Sequence, residues 1–139
     1  PEFDPSYSAI MPPYTAMFNQ YVRETLGYET DEPYNILSFQ VNQKWEYARG
    51  EFPDTSDHLR VALERNPYMK VYVGQGYFDM ATPHAAAHYS LNHMGIAPDL
   101  HDNIQYYFYE AGHMYYLDIT QLEKLKSDVK TFMTFALPE

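Results

Sequence analysis

Three absences restrict what this chain can be. It contains no cysteine, which excludes disulfides, thiolate catalysis and sulfur-ligated zinc. Only nine lysines and arginines stand against 19 aspartates and glutamates, and the net charge of -10 disfavours binding to nucleic acid or to an anionic membrane surface. No apolar run approaches the roughly 18 residues that span a bilayer. We therefore expect neither a nucleic acid nor a membrane among its partners.

The sequence does contain enough apolar material for a packed core. Hydrophobic residues make up 45% of the 139 residues, and aromatic residues make up 17%. Disordered chains are poor in both classes, because they cannot bury enough apolar surface to offset the entropy lost on folding. The composition therefore predicts a compact unit of ordinary domain size.

The first third of the chain has an irregular pattern. Apolar residues recur near helical spacing over Ile10–Leu26, where Pro12 and Pro13 are tolerable in a first turn and Gly27 ends the helix. The stretch that follows has little regular period and predicts one short helix around Tyr34–Leu37. Such an irregular pattern is typical of an insertion or a lid.

Helices and strands alternate in the rest of the chain. The pattern predicts a helix that begins at Asp54-Thr55-Ser56 and runs to Arg65, a strand at Lys70–Gly74, a helix capped by Thr82 that runs to Met94, a strand at Ile104–Tyr109 and a helix at Thr120–Phe135. This order is typical of an α/β sheet with parallel strands and crossover helices.

Two strands make an incomplete parallel sheet. Parallel sheets are normally covered by helices on both faces and contain several neighbouring strands. We therefore expect another part of the same protein, a partner chain or a second copy of this chain to complete the sheet.

One ionisable residue follows each predicted strand. Asp79 comes after the first strand and its glycine-bearing turn, and His113 comes after the second strand and Gly112. Functional side chains of parallel sheets lie beyond the carboxyl ends of the strands, so neighbouring strands would bring these two side chains together. In α/β-hydrolases the catalytic acid also precedes the histidine along the chain. In such a triad the acid orients the imidazole, which acts as general base and then as general acid.

The residues around Asp79 and His113 resemble a known family. Asn66–Pro83, which contains Gly-Gln-Gly-Tyr-Phe-Asp-Met-Ala-Thr-Pro, is similar to the acid-bearing strand and turn of serine carboxypeptidases, especially the bacterial branch. Tyr109–Met114 looks like the Gly-His-Met motif that holds the family's catalytic histidine. The resemblance covers residues 54–137 well and extends more loosely to residues 4–50.

This resemblance implies a fold and an activity. Residues 54–139 would form the C-terminal half of an α/β-hydrolase, and residues 1–53 would form part of its helical cap. The complete enzyme would remove C-terminal residues from a peptide substrate through an acyl-enzyme, without a cofactor or a metal, in the periplasm or outside the cell. Asp79 and His113 would be catalytic, and we expect Met114 and Tyr115 to line the substrate site.

The nucleophile of this family is absent from the chain. The family places it in a Gly-x-Ser-x-Gly elbow well upstream, and that context surrounds none of the six serines here, which are Ser6, Ser8, Ser38, Ser56, Ser90 and Ser127. We therefore expect this chain to be a fragment that is inactive alone. A separate N-terminal chain would carry the serine, or the fragment would form a homo-oligomer.

Other readings of the same residues stay open. A related esterase or acyltransferase would share the triad, and a non-catalytic α/β domain could self-associate through its exposed sheet edge. His84 and His88 lie at metal-ligand spacing on a predicted helix, with His93 nearby, but no glutamate completes a His-Glu-x-x-His pattern. Packing or solvation of the helix face explains these histidines better than a metal does. The 15 tyrosines are more typical of half-buried strand positions than of a binding surface.

Overall fold

The computed structural model of the protein describes residues 5–45 and 54–137. The chain divides into two compact units, Pro1–Glu51 and Phe52–Glu139, and each is described by itself. The parts of the predicted cap at residues 1–4 and 46–53, together with residues 138–139, lie outside the described residues. Among the helices that the structure describes, none combines the length and apolarity that crossing a bilayer requires.

The first unit begins with a long helix, α1, at Pro5–Gln20, which continues as one π-helical turn at Tyr21–Thr25. The predicted start at Ile10 is wrong, because Pro12 and Pro13 lie inside the helix and not in its first turn. A proline inside a helix removes its own N–H donor, its ring crowds the carbonyl four residues back, and it disfavours the helical geometry of the residue before it. The residues upstream still close a helical turn, although the prolines weaken it.

The second helix of this unit, α2, lies at Phe39–Lys44. The short helix predicted at Tyr34–Leu37 is therefore displaced along the chain. Ser38 explains the true start, because its hydroxyl accepts a hydrogen bond from the Val41 N–H at 3.3 Å and so caps the first turn. Both helices of this unit keep large apolar side chains exposed, including Met17 at 64% and Phe39 at 74%.

The second unit has the predicted alternation of helices and strands. Its elements are α3 at Ser56–Arg65, β1 at Val71–Gly76, α4 at His84–Asn92, β2 at Ile104–Tyr109 and α5 at Ile119–Ala136, with 3-10 turns at Pro98–Asn103 and Tyr115–Leu117. The prediction for the second strand is confirmed residue for residue. The first strand, predicted at Lys70–Gly74, begins one residue later at Val71 and runs on to Gly76. This unit therefore belongs to the α/β class.

The sheet of this unit is small and parallel. Strands β1 and β2 pair in parallel register from Val71 opposite Ile104 to Gly76 opposite Tyr109. In the part of the chain that the structure describes, the sheet has these two strands and no other, so each strand has one edge without a neighbour. Because parallel strands run in the same direction, the segments that follow β1 and β2 leave the sheet side by side at the same end.

The two faces of the sheet pack differently because side chains alternate along each strand. One face carries Val71, Val73 and Ile104 and packs on the main apolar cluster, whose buried members are Leu63, Met94, Ile96, Leu100 and Ile104. The other face is aromatic. There the ring of Tyr72 stacks on Tyr107 at 4.5 Å and meets Phe132 of α5 edge-on at 5.3 Å. Helices thus cover both faces, and within the described residues each strand keeps one edge without a neighbouring strand.

Candidate functional site: a carboxylate and an imidazole at the strand ends

The two segments that follow β1 and β2 stay hydrogen-bonded to each other after the strands end. The Tyr77 N–H donates to the Tyr109 carbonyl at 2.9 Å, and the Phe78 N–H donates to the Ala111 carbonyl at 3.0 Å. These bonds extend the pairing into the two turns that follow β1 and β2. As a result, the residues at the ends of the turns approach each other.

Gly76 makes this close approach of the two turns possible. A Cβ atom at this position would lie 2.3 Å from the Gly112 carbonyl oxygen and 2.4 Å from the Ala111 carbonyl oxygen. Those distances are far inside van der Waals contact, so only glycine fits without moving the backbone. The glycine-bearing turn noted in the sequence therefore has a steric role at the site.

Asp79 and His113 meet at the ends of these turns. The His113 Nδ1 lies 2.9 Å from Oδ2 of Asp79. The Asp79 side chain is 5% exposed, whereas the imidazole is 61% exposed. A carboxylate can only accept hydrogen bonds, so Nδ1 carries the proton and Nε2 of the neutral ring keeps its lone pair. Asp79 and His113 thus lie together as predicted from the strand ends, and the catalytic role of both residues stays a prediction.

Four hydrogen bonds hold the Asp79 carboxylate. Oδ1 accepts from the backbone N–H groups of Ala81 at 2.8 Å and Thr82 at 2.9 Å. Oδ2 accepts from the Thr82 hydroxyl at 2.7 Å and from His113 at 2.9 Å. The backbone bond from Thr82, followed by the bonds from the Thr82 hydroxyl and His113, holds the pKa of Asp79 well below its ordinary value of 3.8, although burial opposes them. The group is therefore a fixed anion over the whole neutral range.

Thr82 is the site residue that the sequence analysis missed. The sequence predicts Thr82 as the N-cap of the next helix, but α4 begins at His84 after Pro83, and the Thr82 hydroxyl donates to Asp79. That hydroxyl also lies 3.4 Å from Nδ1 of His113. The Asp-x-x-Thr spacing could have revealed the contact, because aspartate side chains commonly bond to backbone groups two and three residues onward.

The two residues predicted to line a substrate site lie directly after His113. The ring of Tyr115 stacks on Tyr109 with centroids 4.3 Å apart, and a Cβ at Gly74 would lie 2.8 Å from its hydroxyl. Its ring thus packs on the aromatic face of the sheet. Met114 is half-buried and precedes the 3-10 turn that contains Tyr115. Substrate contact by either residue stays a prediction.

The three histidines on or near the helix predicted from Thr82 to Met94 contact different partners. His84 meets the rings of Tyr77 and Phe108 edge-on, and the ring of His88 lies 4.9 Å from Tyr106. The Nδ1 of His93 lies 2.7 Å from the Tyr89 carbonyl oxygen. Within residues 5–45 and 54–137, no three histidine, aspartate or glutamate side chains converge as a metal site would require.

The depressed pKa of Asp79 predicts a pH-dependent contribution to stability. Its stabilising contribution is complete above pH 3.8, the ordinary aspartate value, and is lost as the pH falls from there towards the lower folded-state pKa. We expect the urea midpoint of the wild type to exceed that of Asp79→Asn at pH 6 by more than it does at pH 3, as followed by far-UV circular dichroism. Asp99→Asn, which changes an exposed carboxylate of the same unit, should keep the wild-type dependence of the urea midpoint on pH. A parallel pH dependence in wild type and Asp79→Asn would contradict this account.

Comparison with known proteins leaves the function to be argued from the site. No family model matches the chain, and neither a curated protein nor a solved structure matches it. The geometry of Asp79 and His113, together with the residues around them, therefore carries the functional argument.

Proposed function

We propose that this chain supplies the acid and the histidine of a serine-type carboxypeptidase of the α/β-hydrolase fold, and that the serine lies on a part of the protein outside this chain. One observation carries the proposal. Asp79 and His113 form a 2.9 Å hydrogen bond beyond the carboxyl ends of neighbouring parallel strands, with the acid first along the chain. The resemblance of the flanking residues to serine carboxypeptidases supports the same assignment.

The orientation of the imidazole fits the chemistry of a triad. With Nδ1 bonded to Asp79, Nε2 of His113 is the atom that can accept a proton. In the complete enzyme the serine Oγ attacks the peptide carbonyl carbon while its proton passes to Nε2, and His113 returns that proton to the departing amine. A water molecule then repeats the two steps and releases the acyl group. Asp79 stabilises the imidazolium that forms in each half of the reaction.

The exposed surface around Asp79 and His113 supports the proposal that another part of the protein covers this pair. Phe78 and Met80, which flank Asp79 in the chain, are 68% and 91% exposed, and the His113 ring is 61% exposed. Exposed apolar side chains beside an ionisable pair are typical of an interface. The open edges of β1 and β2 also offer unpaired backbone groups to another strand. We propose that the serine-bearing part, or a second copy of this chain, covers this region.

Reconstitution tests the proposal directly. The segment encoded upstream of this chain in its own gene should contain a Gly-x-Ser-x-Gly elbow. Mixed or fused with this chain, it should release the C-terminal residue from an N-acylated dipeptide with a free carboxylate. A serine-directed inhibitor and His113→Ala should each abolish that release, while His93→Ala should not. Light scattering of the same samples distinguishes a two-part enzyme from a self-associated chain.

Two results would contradict the carboxypeptidase proposal. One is an upstream segment without a serine elbow. The other is a reconstituted protein whose peptide hydrolysis survives His113→Ala. Hydrolysis of esters but not of peptides by the reconstituted protein would instead favour the esterase alternative, because the two activities share the same triad.

A further inference from the structure

The imidazole of His113 is poised for chemistry of its own, without a serine. Its Nδ1 is bonded to the buried Asp79 carboxylate at 2.9 Å, and its ring is 61% exposed. The hydrogen bonds that the ring makes within the described residues all involve Nδ1, to Asp79 and Thr82. The lone pair of Nε2 is therefore directed away from these contacts and is available to a dissolved electrophile.

We propose that this chain alone hydrolyses activated aryl esters, with Nε2 of His113 as the nucleophile. The lone pair of Nε2 attacks the acyl carbon, and the carbon–oxygen bond to the aryl group breaks, releasing the aryloxide. The acyl group is then bonded to Nε2 of a ring that still carries its proton on Nδ1, so the intermediate is a cation. Water attacks the acyl carbon and the bond to Nε2 breaks. The products are a carboxylic acid, neutral imidazole and one proton, which passes to the solvent.

Asp79 is the positioning residue of this reaction. It selects the ring form with the proton on Nδ1, so Nε2 is the nucleophilic nitrogen in every neutral ring. Its negative charge also lies 2.9 Å from Nδ1, beside the cation that forms when Nε2 is acylated. In the free ring only the acceptor of this hydrogen bond is charged, whereas in the acylated state both partners are charged. The added Coulomb attraction stabilises the acylated state more than the free ring. The hydroxyl of Thr82 holds the carboxylate in this orientation.

His93 provides a matched comparison within the same chain. It is also exposed, and its Nδ1 also bonds an oxygen, at 2.7 Å, but that oxygen is the neutral carbonyl of Tyr89. The two histidines thus share exposure and ring form and differ in the charge of the Nδ1 partner. If the carboxylate matters, His113 will be the more reactive of the two.

Hydrolysis of p-nitrophenyl acetate by the intact chain tests the proposal. The chain has six histidines, so equal reactivity would make each responsible for about one-sixth of the rate. We expect His113 to be at least about fivefold more reactive than each of the other five histidines, so its contribution equals theirs combined. His113→Gln should therefore lower the rate at least about twofold. That fivefold corresponds to about 1 kcal/mol. His93→Gln should remove about one-tenth of the wild-type rate, since His93 is one of the five less reactive histidines.

A second measurement reports the intermediate itself. Acid quenching during turnover, followed by peptide mapping, should place the acetyl group on the peptide that contains His113. Asp79→Asn, checked for its fold by circular dichroism, should reduce both this adduct and the rate.

The proposal fails if His113→Gln and His93→Gln lower the rate equally, or if the acetyl group is spread evenly over the histidines. Because the assay uses this chain alone, its failure leaves reconstituted peptidase activity untouched. Conversely, ester turnover at His113 would persist even if no upstream serine existed, so the two proposals are separately testable.

Discussion

If the proposed function is right, Asp79→Asn is expected to lower peptide hydrolysis by the reconstituted protein about 10⁴-fold, the scale seen when a triad acid becomes an amide. The physical reason is the ring form of the histidine. An asparagine amide can turn its NH₂ group towards Nδ1 of His113, which leaves the proton on Nε2. Nε2 then cannot accept the serine proton, although the side chains keep nearly the same shape. The measurement is the initial rate of amino-acid release from an N-acylated dipeptide at neutral pH.

A matched control separates this effect from a general loss of charge. Asp99→Asn removes the same charge from an exposed position of the same unit and should leave the rate within about twofold of the wild type. If Asp79→Asn kept more than about one-tenth of the wild-type rate while remaining folded, Asp79 would not be the triad acid. Its four hydrogen bonds would then only stabilise its own turn and join that turn to His113.

Gly76→Ala is expected to destabilise the second unit and to separate the two site residues. Its methyl group would meet the carbonyl oxygens of Ala111 and Gly112 at 2.4 and 2.3 Å, and both belong to backbone that cannot rotate away. Overpacking of this kind costs about 1–3 kcal/mol and displaces the turns that follow the strands. We expect a lower urea midpoint and, in two-dimensional nuclear magnetic resonance, loss of the contact between His113 and Asp79.

The neighbouring glycine of the same site is the control. At Gly112 an added Cβ would meet nothing closer than the Phe78 carbonyl oxygen at 3.9 Å, which is ordinary contact, and its φ is not positive. Gly112→Ala should therefore change the urea midpoint little and keep the site intact. Equal effects of the two substitutions would show that the packing of Gly76 against the second turn does not control the site.

Two of the three predictions for the first unit's helices failed for local reasons. The helix predicted at Tyr34–Leu37 lies at Phe39–Lys44, because the apolar pattern alone does not identify Ser38 as a cap. The pattern predicts that α1 begins at Ile10, with Pro12 in its first turn, whereas the helix begins at Pro5. Proline is favoured in a first turn but is not confined to it. The end of this helix near Leu26, before the positive φ of Gly27, was predicted correctly.

The order of elements in the second unit, the bounds of β2 and the proximity of Asp79 to His113 could all be predicted from the sequence. Strand patterning is local, and parallel pairing then brings the strand ends together. The Asp-x-x-Thr spacing allows Thr82 either to bond the carboxylate or to cap a helix, and the folded structure shows the bond to the carboxylate. The folded structure was also needed to show that Gly76 packs against the opposite turn, and that the imidazole is open to solvent while its partner is buried. These features depend on contacts between residues far apart in the chain or on competition between hydrogen-bond acceptors. Neither leaves a periodic signal in the sequence.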